Sequence, residues 1–469
     1  MAWALYMFRE TFQPEDPQIL DSHIKPETKL TFVDFVPNAV ERTSTAIYQT
    51  AEIKYHPFRE MILLANDWLA ENPSWRAINC ESVTLLFKAN DTGNLELRPI
   101  DASFYIYGSA KQHIVKALRL WIKRKPITGD ESDSYGGETI EPQILDYIDI
   151  IPENRGDGDS FCPKFENLNQ CVERINKMTQ ERKINGTIIT IESLNCEAEI
   201  DWKINPEQTL NFFTNKTVTI IRIFYEKGPP NQLEIGIKDF VPKNISGGGF
   251  FKRPKFEAFS LVLTRATRWL SENPDISLRN AQSLDIKLKS LGSCDLTCSM
   301  AYTEHGDYLK IFRIAYTKCP KSQSTLSLNL SNAIMETKSL ILGSKLFMPI
   351  KKGESLTEIR QRMEDWINTI PKVNLFTDQV NGEINRPIEI LSAETVEVFC
   401  RSDDNELEKA VEDTFQYNRF GTKNGYIFIS LRVYFGLPGL PNLLISRVDD
   451  NLIQSMSLTN DNGSSCNIL

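Results

Sequence analysis

One set of marks recurs four times along this chain in the same order, and that recurrence constrains the fold more than any single motif. Three strand-like runs end alike, at Asp34-Phe35-Val36-Pro37, Asp149-Ile150-Ile151-Pro152 and Asp239-Phe240-Val241-Pro242. A fourth, Leu346-Phe347-Met348-Pro349, keeps the apolar pair and the proline but lacks the aspartate. Each leads into an amphipathic stretch, and the apolar spacing predicts helices over 58–69, 165–176, 259–270 and 356–367. Trp68, Ile175, Trp269 and Trp366 stand ten positions after the first residue of each. Glu71-Asn72-Pro73 returns as Glu272-Asn273-Pro274, where the proline stops the helix because it cannot donate the next backbone bond.

A further strand follows in each case, marked by Glu81-Ser82-Val83, Glu192-Ser193-Leu194, Gln282-Ser283-Leu284 and Glu394-Thr395-Val396. The last strand carries an arginine in register: Arg119, Arg222, Arg313 and Arg432. The expected fold is α+β: four tandem βαββ repeat units with antiparallel sheets, one helix packed on each sheet, and sheets shared pairwise. One such unit buries too little surface to stand alone. The boundaries read as 1–126 for an N-terminal strand and the first unit, then 127–229, 230–321 and 322–440, with a C-terminal tail over 441–469. Ile220 to Tyr225, Gly228-Pro229-Pro230-Asn231 and Leu233 to Ile237 carry a hairpin signature. It predicts that the last strand of one unit pairs with the first strand of the next, with Trp3 to Phe8 as partner for the first unit.

Composition narrows function only by exclusion. Lys and Arg number 53 against 62 Asp and Glu, a net charge of −9, which argues against nucleic acid as the main partner. No apolar run approaches the roughly 20 residues of a spanning helix, and the amino end lacks the basic leader of a signal peptide. The expected location is cytoplasmic. The nine cysteines have irregular spacing, and no His completes a zinc set, so no metal and no cofactor is expected. His23, His56, His113 and His305 never recur at equivalent places, so Ser82, Ser193, Ser283 and Thr395 have no general base and read as backbone-bonding hydroxyls. The acidic stretch 129–137 and the glycines 247–249 read as solvated connections.

The arginines allow two readings. Strand alternation puts Arg222 and Phe224 on one face, Arg119 beside Trp121 and Arg432 beside Tyr434, so these residues with Arg313 form a candidate interaction face. The structural reading pairs each arginine across the hairpin with an aspartate such as Asp239, and it is the favoured one. The chain closes on Cys466-Asn467-Ile468-Leu469, which reads as a prenylation box whose leucine favours geranylgeranyl, on a polar tail with no reason to pack. The acidic tail supplies no second membrane signal, so attachment through Cys466 is expected to be exchangeable. The function expected is a non-enzymatic interaction scaffold with protein partners, tethered at the cytosolic face of a membrane. The alternative is a soluble enzyme or small-molecule binder with a pocket between paired units.

Overall fold

A computed structural model of the chain describes residues 16–20, 23–44, 51–89, 95–96, 103–106, 113–125, 141–156, 163–199, 201–211, 216–247, 253–288, 300–302, 307–318, 340–350, 354–369, 374–378, 382–385, 389–401, 407–416, 425–438 and 466–468. Over these residues the protein is α+β, with mostly antiparallel sheets, many strands and few helices. The first segment holds β1 (Leu30–Val36), α1 (Phe58–Glu71), β2 (Trp75–Ala89) and β3 (His113–Arg124). The second holds β4 (Leu145–Ile150), α2 (Leu168–Gln180), β5 (Gly186–Glu197) and β6 (Lys216–Lys227). The third holds β7 (Glu234–Phe240), α3 (Phe259–Glu272), β8 (Ile276–Lys287) and β9 (Tyr308–Lys318). The fourth holds β10 (Leu340–Phe347), α4 (Leu356–Thr369), β11 (Glu389–Arg401) and β12 (Gly425–Pro438).

In every segment the last strand lies in the middle, giving the orders β1-β3-β2, β4-β6-β5, β7-β9-β8 and β10-β12-β11. This order corrects the expected hairpins. β6 pairs with β4 and β5, while β7 pairs with β9. Along most of its length the last strand has both edges filled by its own segment, and only its N-terminal end is left for the next. Segments are stitched instead by short strands that each reach back to the preceding last strand: Leu210–Asn211 on β3, Met300–Tyr302 on β6 and Phe415–Gln416 on β9. Ser103–Ile106, from the first segment, pairs with β12 of the fourth, so the stitching runs round in a circuit.

Two strands extend outer edges. Gln18–Leu20 pairs with β1, whereas residues 3–8, expected in that place, lie outside the described residues. Cys466–Ile468 pairs antiparallel with residues 343–345 of β10, although the sequence predicts a tail with nothing to pack on. Residues 441–465, 129–137 and 248–249 lie outside the described residues.

The helices form because apolar residues recur at helical spacing. α1 buries Phe58, Met61, Ile62, Ala65, Trp68 and Leu69 against its own sheet. α2 begins at Leu168, three residues later than the apolar pattern predicts. Asn167 caps it, its side chain accepting from the Gln170 N–H while the Gln170 side chain accepts from the Asn167 N–H. Met178, not Ile175, therefore takes the place that Trp68, Trp269 and Trp366 hold in their helices, ten positions after the first residue. Phe165 lies ahead of the helix and packs on Trp202.

Each helix also grips the first strand of the following segment. Asn66 bonds both the N–H and the carbonyl of Leu145, and Asn176 does the same at Ile235. The Thr267 hydroxyl donates to the Leu342 carbonyl, and the Thr31 hydroxyl to Glu364 of α4. The last of these joins the fourth segment to the first. Inside three segments the loop after the proline is pinned by an arginine of the helix. Arg174, Arg265 and Arg362 donate to the Ile151, Val241 and Met348 carbonyls and to Glu166, Glu257 and Glu354. Those carboxylates accept in turn from the N–H just after the proline, at Glu153, Lys243 and Ile350. Among the described residues no helix is long and apolar enough to cross a membrane.

Candidate functional site

The polar residues that recur along the chain meet where β2, β5, β8 and β11 come together. Each of these strands pairs with its own last strand on one side only, which leaves buried backbone donors and acceptors on the other. Side chains of the neighbouring segment satisfy them. The Ser82 N–H donates to Glu192 at 3.1 Å, the Ser193 N–H to Gln282 at 2.9 Å, the Ser283 N–H to Glu394 at 2.6 Å and the Thr395 N–H to Glu81 at 2.8 Å. The last contact, from fourth segment to first, closes a ring.

A β-bulge at the same place in each strand, between residues 77 and 79, 188 and 190, 278 and 280, and 390 and 392, aims a second polar layer inward. Asn79 donates to the Ala393 carbonyl at 2.7 Å and to the Ser392 hydroxyl at 3.1 Å, and accepts from the Thr190 hydroxyl at 2.7 Å. Asn280 donates to the Ile191 carbonyl at 3.2 Å and accepts from Ser392 at 3.5 Å.

The arginines sit behind this layer. Arg119 holds Asp34 through two bonds of 2.7 and 2.6 Å, Arg222 holds Asp149 at 2.7 and 2.8 Å, and Arg313 holds Asp239 at 2.6 and 2.7 Å. These are cross-strand partners in register. The planar fork of arginine matches a carboxylate in a way lysine cannot. The remaining Nη1 donates to the hydroxyl of the preceding segment: Arg222 to Ser82, Arg313 to Ser193, Arg432 to Ser283, and Arg119 to Thr395. Arg119 and Arg222 also stack over Phe32 and Phe58, at 3.8 and 3.9 Å from the ring centroids. In the fourth segment Leu346 faces Arg432 where an aspartate stands elsewhere, and Arg432 pairs with Glu394 at 3.1 Å. Glu394 also accepts from the Tyr434 hydroxyl at 2.6 Å.

Burial dominates the protonation of this layer. It pushes the Glu192 carboxyl up to about 7, with Glu81 adding to the rise and Arg222 and Ser82 opposing it. Glu81 is raised by burial as well, against Arg119, Thr395 and Trp121. The thiols of Cys80 and Cys196 are raised by burial, and that of Cys171 is pushed up to about 12, so all three stay protonated and unreactive near neutral pH. The serine hydroxyls accept from guanidinium and, at Ser82 and Ser283, donate to carboxylate. They bond side chains where the sequence suggests backbone, and none is paired with an imidazole among the described contacts. His56 reaches the Asn38 carbonyl at 2.9 Å. Among the described residues no group of three His, Cys, Asp or Glu is placed to hold a metal ion.

The seven residues expected to form an open recognition face are buried instead. Arg119, Trp121, Arg222, Phe224 and Tyr434 are 0% exposed, Arg313 2% and Arg432 3%. The alternation along the strands is as expected, but the face carrying them is covered as well as the other. Trp121 packs in the core of the fourth segment, Phe224 in that of the first and Tyr434 in that of the third. Arg119, Arg222 and Arg313 do pair with aspartates, but with one on the first strand of their own segment and not across a hairpin to the next, and Arg432 pairs with Glu394. The side chain of Cys466, the proposed lipid site, lies outside the described residues, and its backbone lies in the strand on β10.

A separate open cleft of about 620 Å³ lies between the first and second segments, lined by Pro57, Arg59, Glu60, Tyr147, Ile148, Asp149, Pro206 and Glu207. Its polar groups are largely engaged with one another. Glu207 accepts from the Arg59 N–H at 2.8 Å and from the Tyr147 hydroxyl, and the Arg59 side chain pairs with Asp146. No protein-family model, curated protein or solved structure matches the chain.

Proposed function

We propose that this chain is a fourfold duplication of a βαββ unit, closed on itself into a ring, and that it works as a non-enzymatic scaffold for protein partners. One observation carries the reading: the arginines and hydroxyls that recur in all four segments bond one another across the joints between segments, with Glu or Gln side chains capping the same joints. Groups committed in that way hold a shape and have no capacity left for a substrate. What differs between segments is the connections, and those are the parts free to diverge toward partners.

The same reading tethers the scaffold to the cytosolic face of a membrane through a geranylgeranyl group on Cys466. Three residue pairs on the edge of β10 are a weak hold, so the strand can leave for a transferase. Mass spectrometry of the C-terminal peptide from the protein's own cells tests this, with membrane partition of Cys466→Ser beside wild type. An unmodified peptide and identical partition remove the tether. For the scaffold, residues 129–137 and 320–339 are replaced in turn by Gly-Ser linkers, and cross-linked partners are compared by quantitative mass spectrometry. Loss of a defined partner with unchanged folding stability supports the reading, and an unchanged partner set for both replacements removes it.

The alternative, a small-molecule binder, has the cleft at Arg59 and Glu207 in its favour. A ligand whose binding raises the melting temperature of wild type but not of Glu207→Gln supports that alternative.

A further inference from the structure

The first strands β1, β4, β7 and β10 each lie beside the last strand of their segment and turn their other edge outward. Two of these edges hold an added strand: Gln18–Leu20 on residues 34–36 of β1, and Cys466–Ile468 on residues 343–345 of β10. β4 and β7 carry none among the described residues. Counted from the residues that face the arginines, Asp34, Leu346 and Asp149, the two occupied stretches correspond to 149–151 and 146–148 of the second segment. The cleft of about 620 Å³ opens on that part of β4, since Tyr147, Ile148 and Asp149 line it. Hydrogen bonds show which backbone groups face outward there. The Ile144 carbonyl accepts from Lys227 of β6, whereas the N–H and carbonyl of Leu145 both turn away from β6 to Asn66 of α1. Backbone direction alternates along a strand, so Tyr147 and Asp149 turn outward as Leu145 does. The Asp146 carboxylate accepts from the Tyr147 N–H at 2.8 Å. The Tyr147 carbonyl and the N–H and carbonyl of Asp149 have no partner among the described residues. An edge of this kind is a template for a further strand.

Charge selects the occupant. Glu60, Asp149 and Glu207 line the cleft against the single cation Arg59. Arg59 is held by Asp146, Asp149 by Arg222, and Glu207 accepts from the Arg59 N–H and the Tyr147 hydroxyl. The side chain of Glu60, partly buried in the first turn of α1, has no hydrogen-bond partner among the described residues. A second copy of a chain with net charge −9 is a poor match for an acidic groove, and a basic strand is a good one. We propose that the outer edge of β4 binds an extended segment of a protein partner by strand addition, with a lysine or arginine of that segment against Glu60. The backbone bonds supply the grip, and the charge on Glu60 supplies the choice. The inference rests on the scaffold reading and names a partner class for it.

The test is selection of displayed random heptapeptides on the full chain, with soluble Glu60→Arg in excess as competitor. The selected peptides are expected to share a lysine or arginine within a β-forming stretch. Synthetic copies are then titrated by fluorescence anisotropy against wild type, Glu60→Arg and Glu60→Gln, where Glu60→Gln carries the comparison if the charge reversal disturbs α1. Binding is expected to weaken at least about tenfold in Glu60→Arg and by less in Glu60→Gln. Methylating each peptide nitrogen in turn is expected to abolish binding at alternate positions and spare those between, because only every second residue of an added strand turns its backbone to the edge. No selected peptide, a consensus without Lys or Arg, equal binding by the Glu60 variants, or methylation losses without alternation overturns the proposal. A consensus that spells a stretch of this chain makes the occupant a second copy and overturns the partner. The linker replacements test the scaffold reading separately, so a failure of the groove and a failure of the scaffold are told apart.

Discussion

Arg222 and Arg432 occupy the same place in the second and fourth segments, and they are neutralised in opposite ways. Arg222 takes Asp149 from the first strand of its sheet, while Glu192 is spent on the neighbouring Ser82. Arg432 faces Leu346 and draws on Glu394, which serves the neighbouring Ser283 at the same time. Tyr434 supplies Glu394 with a further donor. One carboxylate in the fourth segment thus does what two do in the second. The difference shows that the joint needs a partnered guanidinium and a capped backbone N–H, not a particular pair of acids.

Removing each arginine breaks the comparison most severely. Arg222→Met leaves Asp149 buried without its cation and is expected to cost about 3–5 kcal/mol by urea denaturation. Arg432→Met is expected to cost less, about 2 kcal/mol, because Glu394 keeps Tyr434 and both Ser283 donors. Equal losses would show that the acids do not matter in the way described. Converting one arrangement into the other comes next. Leu346→Asp alone crowds a second carboxylate beside Glu394 and removes leucine from the core, a loss of about 2–4 kcal/mol. Adding Glu394→Gln recreates the Asp239 and Gln282 set of the third segment and is expected to restore at least about 1 kcal/mol in a double-mutant cycle. The smallest effect is at the hydroxyls. Ser82→Ala is expected to cost about 1–2 kcal/mol in wild type and little on top of Arg222→Met, since the two act as one contact. Additive losses would separate them.

Much of this was legible in the residues. The run ending in proline, the strand after each helix, the arginine strand and three of the four helices lie where the marks put them. α2 starts later, and Asp239 faces Arg313 of its own segment, not an arginine across the hairpin. What failed did so for physical reasons. A hairpin signature such as Gly228-Pro229-Pro230-Asn231 is local, but which strand lies in the centre of a sheet is decided by partners dozens of residues away. Alternation separated Arg222 and Phe224 from Ile221 and Ile223, yet it could not say that both faces are covered, because the second cover comes from another segment. Glu81, Glu192 and Glu394 stood in plain view as marks, and their role stayed hidden because each caps a strand more than a hundred residues distant, or, for Glu81, more than three hundred. The α2 start could have been found, since Asn167 and Gln170 spell a capping box.

The contact between Glu81 and Thr395 has a consequence for how the chain is made. During synthesis the first segment emerges with Glu81 and the outer face of β1 waiting for partners that do not yet exist, while each later segment finds its predecessor ready. Until β11 and α4 have been translated, the nascent chain is an open arc with one unmet end. Ribosome-bound intermediates are thus the stage at which a chaperone, or a second nascent copy offering its own fourth segment, has something to bind.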